Sequence, residues 1–150
     1  MRALALAADR RDWLSRPLGQ APVVEGLDLE AARAVAARGG EGTLGDADAR
    51  ALLRAVGIQP GAGAGVSMVA DPDLGPLIGV GKGAGEVAYR LAPLSDVDAD
   101  ELAGDEPALR DVVVRLAALA EAVPVLTEVA LDPLRVTLGP APQRQRAKTW

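Results

Sequence analysis

The sequence predicts an α/β chain tending to α+β, with N-terminal helices followed by a small mixed sheet and its covering helices. Three observations carry this reading. Apolar residues recur at helical spacing through the N-terminal third. Short apolar runs bounded by turn residues follow, at 66–70, 77–80 and 87–91. An amphipathic stretch at 107–122 then precedes two more strand candidates, 125–130 and 134–138.

Taken in order, Leu4, Ala7, Ala8 and Leu14 fall near helical spacing, and Pro17 and Gly19 stop that run. An extended piece is expected over 21–25. Asp28 caps a helix through Arg38, whose apolar stripe is Leu29, Ala32, Val35 and Ala36, and Gly39 and Gly40 end it. The next helix starts near Asp46, carries Ala49, Leu52, Leu53 and Val56 on one side, and ends at Gly57. Residues 59–65 form a Gly/Ala/Pro linker, and Asp71-Pro72-Asp73 is turn chemistry between two strands. Ser95 to Asp98 is a helix start. The 107–122 helix presents Val112, Val113, Leu116, Leu119 and Ala120, and Asp132-Pro133 divides the last two strands.

Composition narrows the chemistry. The chain has 150 residues, room for one ordinary domain, and 30 of them are alanine. Aromatics make up only 2%, so the core must be built from Ala, Val and Leu. There is no Cys and no His, which excludes thiol chemistry, Ser–His and Cys–His nucleophiles and His-ligated metals. Catalysis would have to run on carboxylates, Lys, Ser/Thr, Tyr or backbone amides. Sixteen basic residues against 21 acidic ones leave a net charge of −5. An acidic surface without stacking aromatics argues against nucleic acid as a partner. No apolar run reaches the roughly 20 residues of a membrane span. Asp9, Arg10, Arg11 and Asp12 interrupt the N-terminal Ala/Leu run too early for a signal peptide, so a cytoplasmic location without membrane attachment is expected.

Three segments invite a site. Gly79, Gly81 and Ala84 satisfy G-x-G-x-x-[GA], with Lys82 and Gly83 inside the stretch. A dinucleotide loop needs a helix directly after it, and Pro93 leaves no room for one. The phosphate-loop pattern fails as well, because Pro76 stands at its first Gly and Gly83 follows Lys82. A glycine-permitted hairpin or bulge is the preferred reading. Asp96, Asp98, Asp100 and Glu101 resemble a cation loop, but an EF-hand wants Gly and Glu where this chain has Glu101 and Pro107. A helix cap by Ser95 and Asp98 is preferred. Asp132 ends a strand just before Pro133, a position that suits Mg²⁺ as well as a strand end, and without a second oxygen ligand nearby the strand end is the preferred reading.

Several segments, in order, resemble one family, the ADP-forming (NDP-forming) acyl-CoA synthetases, including fusions with a GNAT-type lysine acetyltransferase. Residues 8–29, with Trp13-Leu14-Ser15-Arg16-Pro17-Leu18-Gly19 and Val23-Val24-Glu25-Gly26-Leu27-Asp28, resemble the exit from the family's CoA-ligase domain. Residues 46–58 resemble the helix that opens its ATP-grasp domain. Asp71-Pro72-Asp73-Leu74-Gly75-Pro76 is similar to its D-P-x-F-G-P stretch, and Arg90-Leu91-Ala92-Pro93-Leu94 to its R-x-x-P-L segment. Residues 127–133 stand where the family carries E-[LI]-D-x-N-P.

The resemblance implies a helical exit segment over 1–44, a reduced ATP-grasp-like domain over 45–139 and a disordered basic tail over 140–150. It implies Mg·ATP as ligand, with Gly79, Gly81, Lys82 and Gly83 toward the phosphates and Asp132 toward the metal. It also implies an acyl-CoA synthetase or acetyltransferase partner chain. The departures are as telling. Between Ile58 and Gly65 a few small residues stand in place of most of the lobe that grips ATP. The family's metal-associated Asp and Asn correspond to Ala130 and Asp132, and its phosphorelay His has no candidate. The expectation is a degenerate, non-catalytic relative with a regulatory or binding role. The alternatives are a partial acyl-CoA ligase subunit that binds Mg·ATP weakly, and a helical interaction module that dimerises through N-terminal apolar stripes.

Overall fold

The computed structural model describes residues 14–15, 18–59, 61–63 and 65–140. The expected helix around Leu4 to Leu14 and the expected basic tail fall almost wholly outside the described residues. Helix α1 (Leu29–Gly39) starts where Asp28 accepts a hydrogen bond from the Ala31 N–H at 3.0 Å. Its buried side chains are Ala32, Val35 and Ala36. A two-residue strand β1 (Gly42–Thr43) leads to α2 (Asp46–Ala55), which buries Ala49, Leu52 and Leu53. Strands β2 (Val66–Asp71), β3 (Gly75–Gly83) and β4 (Glu86–Leu91) form a meander. Helices α3 (Asp96–Ala103) and α4 (Pro107–Ala122) follow, then the hairpin β5 (Leu126–Leu131) and β6 (Leu134–Leu138).

The strands form one open sheet in the order β1-β6-β5-β2-β3-β4. The α+β class is as the sequence predicts. The sheet is antiparallel at every pairing, where a mixed one was expected. The cause is the long connection. Helices α3 and α4 carry the chain from the β4 edge back over β3 and β2, and β5 enters beside β2 running opposite to it. Strand β1 escapes sequence reading because two exposed residues carry no periodicity.

The alternation of each strand then sets which face is covered. Val66 and Met68 of β2 lie level with Val80 and Ile78 of β3, and Met68 also lies level with Val129 of β5. Val136 of β6 continues that row from Val129. All are buried beneath the helices. Helix α4 packs on β2 and β3, α3 on β3 and β4, and α2 on β6. The buried residues form one continuous cluster from Ala32 to Leu138. Residues 18–28, which include the expected extended piece over 21–25, run along the helices as a strap outside any helix or strand. Gln20 and Asp96 exchange hydrogen bonds at 2.8 Å, and Asp28 N–H donates to Ala55 O at 2.7 Å. Arg115 of α4 joins the strap to the end of α2, with Nη1 donating to Glu25 O at 2.9 Å and Val56 O at 3.1 Å.

Burial on one face alone yields a stability test. Leu116 is fully buried under the sheet and Leu91 stands on its open face. Leu116→Ala is expected to cost about 2–5 kcal/mol. Leu91→Ala should cost less than about 1 kcal/mol, since half its surface is already wet. Urea unfolding followed by circular dichroism measures both.

Candidate functional site

Three of the sequence-marked features meet at one end of the sheet. Ser67 lies opposite Ala130 and Val66 opposite Val80, and the Gly81 N–H donates to Gly65 O at 2.9 Å. The β5–β6 turn with Asp132, the entry to β2 and the β3–β4 hairpin therefore stand level. With adjacent strands about 4.8 Å apart, Asp132 lies about 10 Å from Gly81 across this end.

The glycine stretch is a strand and its hairpin. Gly79 sits mid-strand, paired with Ser67 on one side and Tyr89 on the other. A Cβ there would lie 2.6 Å from Tyr89 Cε1 and 3.1 Å from Ser67 Oγ, so the ring covers the glycine. Gly79 serves packing. The register shifts between Gly81 and Gly83, and the turn uses φ +88° at Gly83 and +52° at Ala84. This is the hairpin with a bulge that the residue pattern favoured. No helix follows it to aim N-terminal amides at a phosphate.

Lys82 has a partner within the fold. Its Nζ donates to Leu102 O, in the last turn of α3. The carbonyls of a helix's last turn lack intrahelical donors and form the negative end of its dipole. Lys82 satisfies one of them, and no basic residue of α3 itself does so. Sequence alone could not find this contact, because the two residues come together only when α3 folds back under β3.

Asp132 is exposed and lines a cavity of about 170 Å³ with Arg50, Gln59 and Leu134. Arg50 is itself ion-paired to Asp46 at 2.8 Å. Among the described residues no three acidic side chains gather around one point. A divalent cation needs several oxygens, and Asp132 offers a single carboxylate beside a guanidinium. These are the surroundings of the residues that the resemblance assigns to Mg·ATP. The lysine is engaged elsewhere, the central glycine lies under a ring, and the carboxylate stands alone.

The acidic segment at the start of α3 is a cap. Ser95 Oγ accepts from the Asp98 N–H at 3.1 Å, and Asp98 Oδ2 accepts from the Ser95 N–H at 3.0 Å. Asp100 pairs with Arg110, and Glu101 with Arg90 at 2.9 Å. Each carboxylate is accounted for by the fold.

The feature the sequence reading missed is the second face of the sheet. Val69, Leu77 and Leu91 lie in one row across β2, β3 and β4, and Tyr89 and Val87 continue it along β4. Val69, Val87, Tyr89 and Leu91 are 42%, 44%, 45% and 45% exposed. Alternation of Val87, Tyr89 and Leu91 was the available signal. By contrast, the apolar stripes of α1 and α2, expected to lack a partner, are buried within the chain. Two grooves of about 480 and 550 Å³ lie near the end of α4. Arg33, Ala36 and Glu41 border the first, and Pro76, Pro93 and Glu121 the second.

No family model matches the chain, and no curated protein matches it.

The Lys82 contact is testable on its own. Lys82→Met keeps the stem and removes the donor, leaving a helix-terminal carbonyl without its cation. A loss of about 0.5–1.5 kcal/mol is expected in chemical denaturation.

Proposed function

We propose that this chain is a degenerate, non-catalytic ATP-grasp and acyl-CoA synthetase-like protein with a binding or regulatory role. One observation carries the reading. Of the residues that the resemblance assigns to Mg·ATP, Lys82 bonds within the fold, Gly79 lies mid-strand under the Tyr89 ring, and Asp132 stands beside Arg50 in a small cavity. Lys82 on Leu102 O supports this most directly, because an ammonium closing a helix end is not free for a phosphate. The absence of any His in the sequence agrees, since the related chemistry relays phosphoryl through one.

The open sheet face supports a binding role. ATP-grasp sites hold nucleotide between two lobes, and residues 56–65 of this chain are too few to form a second one. Its sheet leaves Val69, Val87, Tyr89 and Leu91 of β2 and β4 half-exposed on the open face. A contiguous patch of this kind marks interaction sites on soluble domains. An acyl-CoA synthetase or acetyltransferase chain is the partner that the resemblance suggests.

Calorimetry and thermal shift with Mg·ATP test the reading. No heat of binding and no displacement of the melting curve are expected at millimolar nucleotide. A retained site would add about 2.7 kcal/mol of stability at 100 times its Kd, and that outcome would overturn the proposal.

A further inference from the structure

Among the described residues the sheet ends in two edge strands of unequal length, β1 and β4. Strand β1 is two residues long, whereas β4 runs for six, from Glu86 to Leu91, without proline or lysine to discourage pairing. The Ala92 N–H donates to Pro76 O at 2.8 Å, and Arg90 and Ala88 continue that ladder opposite Ile78 and Val80. Backbone groups in an antiparallel strand alternate between its two neighbours. Ala88 and Arg90 therefore point theirs at β3, and Val87, Tyr89 and Leu91 point theirs outward. Arg90 Nη1 donates to the outward Tyr89 carbonyl at 2.8 Å, which uses one of that oxygen's two lone pairs and leaves the other for a further donor.

We propose that β4 pairs antiparallel with β4 of a second copy of this chain, with Ala88 on the two-fold axis. This register makes the outward-pointing Val87 and Tyr89 exchange backbone hydrogen bonds with Tyr89 and Val87 of the second copy. Their side chains meet on the open face as an aliphatic–aromatic pair, twice. On the helix-covered face the same register sets Glu86 opposite Arg90 of the second copy, again twice. Arg90 already bonds Glu101 at 2.9 Å on that face, so its guanidinium comes to lie between two carboxylates. A register with Tyr89 on the axis has the same hydrogen-bond parity but puts Arg90 opposite Ala88 and Glu86 opposite Ala92. Charge complementarity selects the first. The contact is isologous and closes at two copies, joining the two sheets into one. It stands or falls independently of whether nucleotide binds.

Analytical ultracentrifugation of the full chain over a range of concentrations tests the proposal, with a monomer–dimer equilibrium expected. Val87→Pro removes an outward N–H and leaves the β3 ladder intact, so dimer Kd should rise at least tenfold while far-UV circular dichroism is unchanged. Glu86→Arg and Arg90→Glu should each weaken the dimer at least tenfold. An equimolar mixture of those two variants should restore association, because their charges complement each other across the axis. Ala88→Cys introduces the sole thiol of the chain, and oxidation should crosslink it to its own copy. Asp73→Cys, in the β2–β3 turn, should not crosslink. A chain that is monomeric at every concentration overturns the proposal, as does a dimer indifferent to Val87→Pro and to both charge variants.

Discussion

Everything in this fold depends on burying one face of a six-stranded antiparallel sheet with small and medium aliphatic side chains. Val66, Met68, Ile78, Val80, Val129 and Val136 form that face, and Leu52, Leu102, Leu116 and Leu119 cover it from the helices. Without Phe, and with only three aromatic residues in all, each side chain removes little area from water. Close approach makes up for size. Alanines on α1, α2, α3 and α4 are buried at the contacts, letting the helices lie near the strands and each other. One such layer satisfies one side of the sheet.

Several polar contacts follow from this arrangement. Helices laid over a sheet present their ends to the chain, and cations close several of them. Lys82 reaches Leu102 O, Arg33 Nε reaches Ala122 O at 3.1 Å, and Arg115 reaches Val56 O. Among the described residues no buried side-chain polar atom is left unpaired. Cations near helix C-termini are favoured by the dipole, and a buried carbonyl without a donor would cost more than the contact yields. Val69, Val87, Tyr89 and Leu91 on the open sheet face stay 42–45% exposed.

Much of the fold was legible along the chain. The α4 helix spans the residues its periodicity marks, 107–122, and Pro107 begins it as expected of a first-turn proline. Asp28 and Ser95 cap the helices they precede. The glycines of 79–85 read as a hairpin or bulge, and they form one. At the candidate site the legible part was the residue types and their order. The direction of the Lys82 side chain, the ring over Gly79 and the surroundings of Asp132 all depend on neighbours distant in sequence, namely Leu102, Tyr89 and Arg50.

By itself the sequence determined the helix caps, the strand runs and the turns, because each rests on a few adjacent residues and on backbone preferences that act locally. It also settled which chemistries have no side chain to carry them, since the absence of His and Cys does not depend on folding. Only the tertiary structure decided that the sheet is antiparallel throughout, that the stripes of α1 and α2 are covered and that the exposed apolar surface lies on β2, β3 and β4. The physical reason is the crossover of α3 and α4. Alternation gives every strand two faces, and the path of that connection alone selects which one water keeps.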